Sequence, residues 1–414
     1  MIDALNLFTL LGVTLFLGYI SSIIFKKTQI PDIIWLLMFG FFIGPVFNLI
    51  DRMLFITIAP VLASFALLII LFEAGLEMNL NEIVKQFPRS ILLSVVGIAL
   101  TITSIAAASV ILFNFDWIRA LLLGSIIGGP SSTIVISILK KINVREDIRT
   151  ILDLESIFTD PIDVVLTIAL IQIYISTLPL SSIFGNIIGA FSIGALIGFM
   201  GGIAWLVVLN KIKNDLDYML TLGVLLLIYA FVESVSGSGA IAALIFGIVI
   251  SSDVFSKFLK ISQPTLIDPS LKKFHEEITF FVRSFFFVAM GIIVSINTNF
   301  IWQGIAITIV IALARIVSVA LCMYGMKLTP LETNIMRVVI PQGLATAVMA
   351  YMPLIYGVKD GEIFLNVAFI VILATIIYTT VGVKIAYSKS KNESRKALDK
   401  SQVRILSKEN RSLR

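Results

Sequence analysis

The chain has 414 residues, of which 58% are hydrophobic and only 14% charged, with a formal net charge of +5. Soluble domains carry about a quarter charged residues, and so many apolar helices would find almost no polar surface to cover them, so a soluble globular fold is excluded. A single cysteine, Cys322, and a single histidine, His275, exclude a disulfide framework and leave no transition-metal site.

The apolar residues run in stretches of about twenty, the length a helix needs to cross a bilayer. In lipid each backbone group has to be satisfied within its own segment, so these stretches are read as helices. Thirteen spans are expected, at 5–25, 31–50, 56–76, 91–113, 117–139, 149–173, 181–208, 217–233, 238–252, 277–297, 301–326, 334–357 and 363–387. The first follows Ile2-Asp3-Ala4 directly, with no basic leader region or small-residue cleavage site, and is read as a span. Lysines and arginines mark the cytoplasmic loops. They cluster after the odd-numbered spans, at Lys26 and Lys27, Lys85 and Arg89, Lys140, Lys141, Arg145 and Arg149, Lys211 and Lys213, Lys257, Lys260, Lys272 and Lys273, then Lys327 and Arg337. The other connections carry only Arg52, Arg119 and Lys359. This alternation requires an odd span count, with the N-terminus outside and the C-terminus cytoplasmic, in the cell membrane. It also accounts for the positive charge without a nucleic-acid partner.

Span 5 contains Gly124, Gly128, Gly129, Pro130, Ser131, Ser132 and Thr133, and span 12 contains Pro341-Gln342-Gly343. Proline removes a helix donor and glycine weakens the helix, so both spans are expected to break near the midplane. The breaks lie seven spans apart, as they would in two six-helix halves of opposite orientation joined by one connector. The expected fold is therefore an all-α membrane protein of about thirteen transmembrane helices, in two inverted repeats with crossing broken helices. Its transmembrane domain would cover 1–387, with one repeat at about 5–173, a connector helix at 181–208 and a second repeat at about 217–387. Paired broken helices point to a transporter's substrate site. The polar, basic tail at 388–414 is read either as a solvated tail or as a helix on anionic lipid.

Ionisable groups at membrane depth are functional candidates. In span 6, Ser156, Thr159, Asp160 and Asp163 recur at i, i+3, i+4 and i+7, one polar stripe on an apolar helix. Pro161 frees a carbonyl beside Asp160, and carboxylate, hydroxyl and carbonyl oxygens suit a hard cation. One carboxylate that binds either a proton or a cation is the minimum machinery for exchange. Glu155 points elsewhere, and Arg315 in span 11 needs a carboxylate, so the two are paired as a structural ion pair. Arg283 in span 10 is left with Glu73 or a helix end as candidate partners. Glu73 itself is either a lining residue of an inner funnel or an interfacial charge.

Together these segments resemble the monovalent cation:proton antiporters, particularly the NhaP-type sodium/proton exchangers. The marks are Gly40-Phe41-Phe42-Ile43-Gly44-Pro45, Phe72-Glu73-Ala74-Gly75-Leu76, Glu155-Ser156-Ile157-Phe158-Thr159-Asp160, Phe274-His275-Glu276-Glu277-Ile278 leading to Gly291, and Gln342-Gly343-Leu344-Ala345. The resemblance implies that Asp160 is the essential aspartate, Ser156 a cation ligand and Glu73 a contributor to the cation site. Thr159 stands where the family has asparagine. Ser131, in Pro130-Ser131-Ser132-Thr133, stands where this branch has aspartate, a run more like that of the Kef-type potassium/proton branch.

The expected activity is secondary antiport of a monovalent cation, sodium foremost, against protons around Asp160, electroneutral and carried out by a homodimer. Ser156, Thr159, Ser131, Thr133 and Glu73 would complete the cation shell. The alternatives are a potassium/proton antiporter of similar fold, or a cation channel or regulatory membrane subunit with a degenerate site. No phosphate loop or nucleophile elbow points to an enzyme, and no cofactor is expected.

Overall fold

A computed structural model describes residues 4–28, 31–49, 52–78, 80–139, 142, 144–176, 180–211, 217–252, 255, 269–295 and 298–412. Each regular element among them is helical. In chain order they are α1 (Ala4–Thr28), α2 (Asp32–Phe41), α3 (Arg52–Glu77), α4 (Leu80–Phe113), α5 (Trp117–Ile126), α6 (Ser132–Leu139), α7 (Glu146–Ile175) and α8 (Leu180–Leu209). There follow α9 (Asp217–Ser234), α10 (Gly239–Ser251), α11 (Pro269–Ile293), α12 (Thr298–Cys322), α13 (Pro330–Val338), α14 (Leu344–Met349), α15 (Met352–Ile355) and α16 (Gly361–Ser412). A π-helical turn over Phe42–Val46 ends α2 at Pro45, which cannot donate to the helical ladder.

Six described helical segments are long and apolar enough to cross a membrane by length and composition: Phe55–Glu77, Pro88–Phe113, Glu146–Ile175, Gly185–Leu209, Thr298–Cys322 and Gly361–Lys389. Six shorter apolar helical segments, among them Trp117–Ile126 and Leu344–Ile355, accompany them. The thirteen expected spans are thus not thirteen uniform long helices. Expected spans 5 and 12 are divided by non-helical backbone at 127–131 and 339–343. The basic tail continues α16 without interruption, its side chains from residue 390 lying outside the described residues. So do the side chains of Lys26, Lys27, Lys85, Lys140, Lys141, Lys213, Lys257, Lys260, Lys272, Lys273 and His275.

The helices sort into two groups by packing. In one, α4 packs on α5, α7 and α12, and α16 packs on α12 and α13. In the other, α10 packs on α3, α8 and α9, while α11 packs on α1 and α2. The glycine-containing marks around Gly40, Gly75 and Gly291 lie in the second group. Gly40 and Gly291 face one another, and a Cβ on either would run into the backbone of the opposite helix, as at Gly75 and Gly247 between α3 and α10. Glycines there let helix axes approach closely where no hydrophobic force separates helix from lipid.

The two breaks meet. The Ser131 N–H donates to the Pro341 carbonyl over 2.8 Å, and Gly343 packs directly on the Ser131 side chain, leaving no room for a Cβ. The freed backbone of the second break is satisfied by α16. Thr379 Oγ1 accepts from Ile340 N at 3.2 Å and donates to the Val338 carbonyl at 2.9 Å, while Thr375 Oγ1 accepts from Gln342 N at 3.2 Å. Two fully buried threonines four residues apart on one helix face thus replace the lost ladder bonds. Irregular backbone persists at membrane depth only with such partners.

Candidate functional site

The break in the first broken helix puts its backbone against α7. Gly129 has no space for a side chain, since a Cβ would lie 2.6 Å from both Asp163 Oδ2 and Thr159 Cβ. Beyond the break α6 starts at Ser132, and the Asp160 carboxylate sits at that helix N-terminus. Asp160 Oδ2 accepts from the Ser132 N–H at 3.2 Å and from the Ser132 hydroxyl at 2.8 Å. The partial positive charge of a helix N-terminus favours an anion there. Asp160 is 8% exposed, and no lysine or arginine among the described residues pairs with it.

A small cavity of about 20 Å³, room for one water-sized particle, is lined by Asp160, Glu73, Glu77, Ser131, Ser132 and Thr133, among others. Three acidic and three hydroxyl-bearing residues line it, a composition that concentrates cations. Met78 packs against Leu154 and Ile157, which precede Asp160 on α7, so this cavity lies toward the N-terminal end of α7. That end is tied to α13, where Arg145 reaches Glu332 at 3.3 Å and Thr329 and Glu332 form a capping box. The opposite end carries Arg119, bonded to Asp116 and, at 2.8 Å, to Asp360.

The structure brings Asp160, Glu73, Ser131 and Thr133 to one cavity. Glu73 also accepts from the Thr279 hydroxyl at 3.2 Å. Ser156 and Thr159 lie outside that lining, because their hydroxyls turn back onto the backbone. Ser156 donates to the Asp153 carbonyl at 2.9 Å, and Thr159 to the carbonyls of Ser156 at 3.0 Å and Pro130 at 3.3 Å. Thr159 therefore holds the break against α7 rather than facing the Asp160 cavity.

A second small cavity, on the other side of Pro130, is lined by Glu155, Arg315, Thr159, Gln342 and Thr101, among others. Here the charges are matched. Arg315 donates through both terminal nitrogens to Glu155, one of these bonds at 2.9 Å, and through Nε to the Met336 carbonyl at 2.7 Å. Arg283 pairs with Asp32 on α2 at 3.0 Å rather than with Glu73 or a helix end. Asp32 initiates α2, and nothing in its local sequence marks it as the partner of a helix eight spans away.

Three residues beyond the expected set matter to the geometry. Ser132, rather than Ser131, is the hydrogen-bond donor to Asp160. Thr375 and Thr379 support the second break, and their i, i+4 spacing in an apolar span is a signal that could have found them.

A bundle in which two interrupted helices cross beside buried carboxylates defines a multi-pass membrane protein of transporter architecture. Residues 12–389 match the sodium/hydrogen exchanger, transmembrane family, and the chain belongs to it. Among curated relatives it is 26% identical over 388 residues to the K(+)/H(+) antiporter NhaP2 of Shewanella sp. (strain ANA-3), covering 91% of this chain and 65% of that protein. The chain thus spans just under two-thirds of that relative's length. It is 28% identical over 313 residues to the probable Na(+)/H(+) antiporter 2 of Methanocaldococcus jannaschii, covering 69% of this chain and 71% of the relative. The fold is that of the sodium proton antiporter MjNhaP1 from the same organism, with a TM-score of 0.79 at 20% identity over 92% of this chain and 99% of that one.

Proposed function

We propose that the chain exchanges a monovalent cation, sodium, for protons by alternating access around Asp160. The observation that carries this reading is a buried carboxylate with no basic partner among the described residues, held at the N-terminus of α6 beside an ion-sized cavity. Such a group is stabilised either by a proton or by a cation, and binding one displaces the other. Glu73, Ser131, Ser132 and Thr133 surround the ion, and the α6 N-terminus and Ser132 hydroxyl position the carboxylate. Glu155 and Arg315 neutralise one another and hold α7 to α12, outside the exchange. With Asp160 as the group that alternates, one proton replaces one cation and no net charge moves. The group of helices carrying the breaks moves against the group built on α3, α8, α10 and α11, in a homodimer with a cytoplasmic C-terminus.

Purified protein in proteoliposomes, challenged in turn with lithium, sodium and potassium while proton flux is followed, tests this. Sodium-driven proton flux is expected, insensitive in rate to a clamped membrane voltage. Exchange by the Asp160→Asn protein would overturn the assignment. A second reading, potassium in place of sodium, is supported by the name of the Shewanella relative and by the hydroxyl-rich Ser131-Ser132-Thr133 run. A potassium response exceeding that to sodium selects it.

A further inference from the structure

Asp163 is the buried carboxylate that the exchange at Asp160 leaves unexplained. It is 5% exposed and lies three residues beyond Asp160 on α7, about 4.5 Å further along the helix axis. The direction of that step is toward the end where Arg119 pairs with Asp360 and where Tyr174 receives the Lys359 N–H at 3.3 Å. Asp160 and Asp163 pack on the same break from successive turns. Ser132, just past the break, holds Asp160, and Gly129, inside the break, packs directly on the Asp163 carboxylate, where an added Cβ would lie 2.6 Å from Oδ2. No lysine or arginine among the described residues pairs with Asp163, and its Oδ1 has no hydrogen-bond partner. That oxygen lies against Gly128, where an added Cβ would come within 3.0 Å of it and 2.9 Å of the Gly124 carbonyl. A buried polar atom without a partner costs stability unless something comes to it.

We propose that Asp163 is a second ion-binding carboxylate of the exchange site, the one that receives the cation or proton from the Arg119 end and passes it to Asp160. The two carboxylates then divide the path. Asp160 faces the cavity lined by Glu73 and Glu77, and Asp163 faces the opposite side of the break, with Gly128 and Gly129 keeping side chains out of the way. The same proton or cation visits both groups in turn, so the exchange ratio is unaltered. This inference rests on the exchange reading above.

The test uses proteoliposomes of one protein orientation, with sodium varied on each side in turn. Asp163→Asn is expected to raise the half-maximal sodium concentration about tenfold on the Arg119 side and to leave the Glu73 side within about twofold. Asp163→Glu is expected to restore much of the loss. Equal changes on both sides, or none on either, would overturn the proposal. Should the asparagine protein fail to fold, wild-type protein treated with a hydrophobic carbodiimide decides. Mass spectrometry is expected to find Asp163 labelled, and sodium on the Arg119 side to protect it; a missing label, or one indifferent to sodium, overturns the proposal. Failure of wild-type exchange, or exchange by Asp160→Asn, counts instead against the reading at Asp160.

Discussion

Glu155 and Asp160 are carboxylates on one helix, five residues apart and both almost wholly buried, yet their surroundings are opposite. Glu155 meets a guanidinium that satisfies both its oxygens and is itself anchored to the Met336 carbonyl. Asp160 meets only a hydroxyl and an amide of Ser132, beside a cavity of ion size. A buried carboxylate with a fixed cation is complete, and one without a fixed cation is open to a mobile one. Burial alone therefore does not mark the exchange group; the absence of a built-in counter-charge does.

Substitutions at the two positions are expected to separate. Asp160→Asn should abolish coupled exchange, to the background of empty liposomes, while the protein keeps its yield and melting temperature, since Asn can still accept from Ser132. Glu155→Gln or Arg315→Met alone should do the reverse and lower stability by about 3–5 kcal/mol, because each strands a buried charge. A double replacement by apolar residues should recover much of that loss in a thermal-shift measurement; if it does not, the pair does more than neutralise charge.

Thr375→Val removes the acceptor for the Gln342 N–H at the second break and should cost about 1–3 kcal/mol, read as a lower melting temperature in detergent. Ser132→Ala should weaken sodium affinity a few-fold, about 1 kcal/mol for one lost hydrogen bond, and more than Ser131→Ala does. Equal effects of the two serines would show that the direct contact to Asp160 is unimportant for binding.

The smallest effect is expected at Asp116, outside the spans. Partial burial raises its carboxyl, but the hydrogen bonds and charge of Arg119 outweigh this and hold it below the ordinary value. A lowered carboxyl stabilises the fold above its unfolded-state value near 4 and loses that contribution as pH falls through the lower folded value. Asp116→Asn should therefore slightly lower stability at neutral pH, leave it unchanged below the folded value, and so flatten the acid limb of a stability–pH curve. The side chain is about half exposed, so solvent screening keeps the effect small.

Much of this contrast is legible from local chemistry. Long apolar runs require helices in lipid, proline and glycine in their middles require breaks, and carboxylates and arginine at membrane depth require partners or ligands. Those requirements are properties of single segments, so the positions of both breaks, the polar stripe of α7 and the need of Glu155 and Arg315 for partners follow from the amino-acid sequence by itself. What each polar group touches does not. Ser131 and Ser132 are chemically alike and adjacent, and only the path of the chain through the break turns Ser132 to Asp160 and Ser131 to Gly343. Thr159 lies on the same stripe as Asp160, yet its hydroxyl is spent on backbone carbonyls. Arg283 finds Asp32 across the packing of α11 on α2. Contacts between segments distant in the chain depend on helix crossing and rotation, which many packed side chains set jointly, and so the tertiary structure alone decided which hydroxyl reaches Asp160 and which carboxylate closes Arg283.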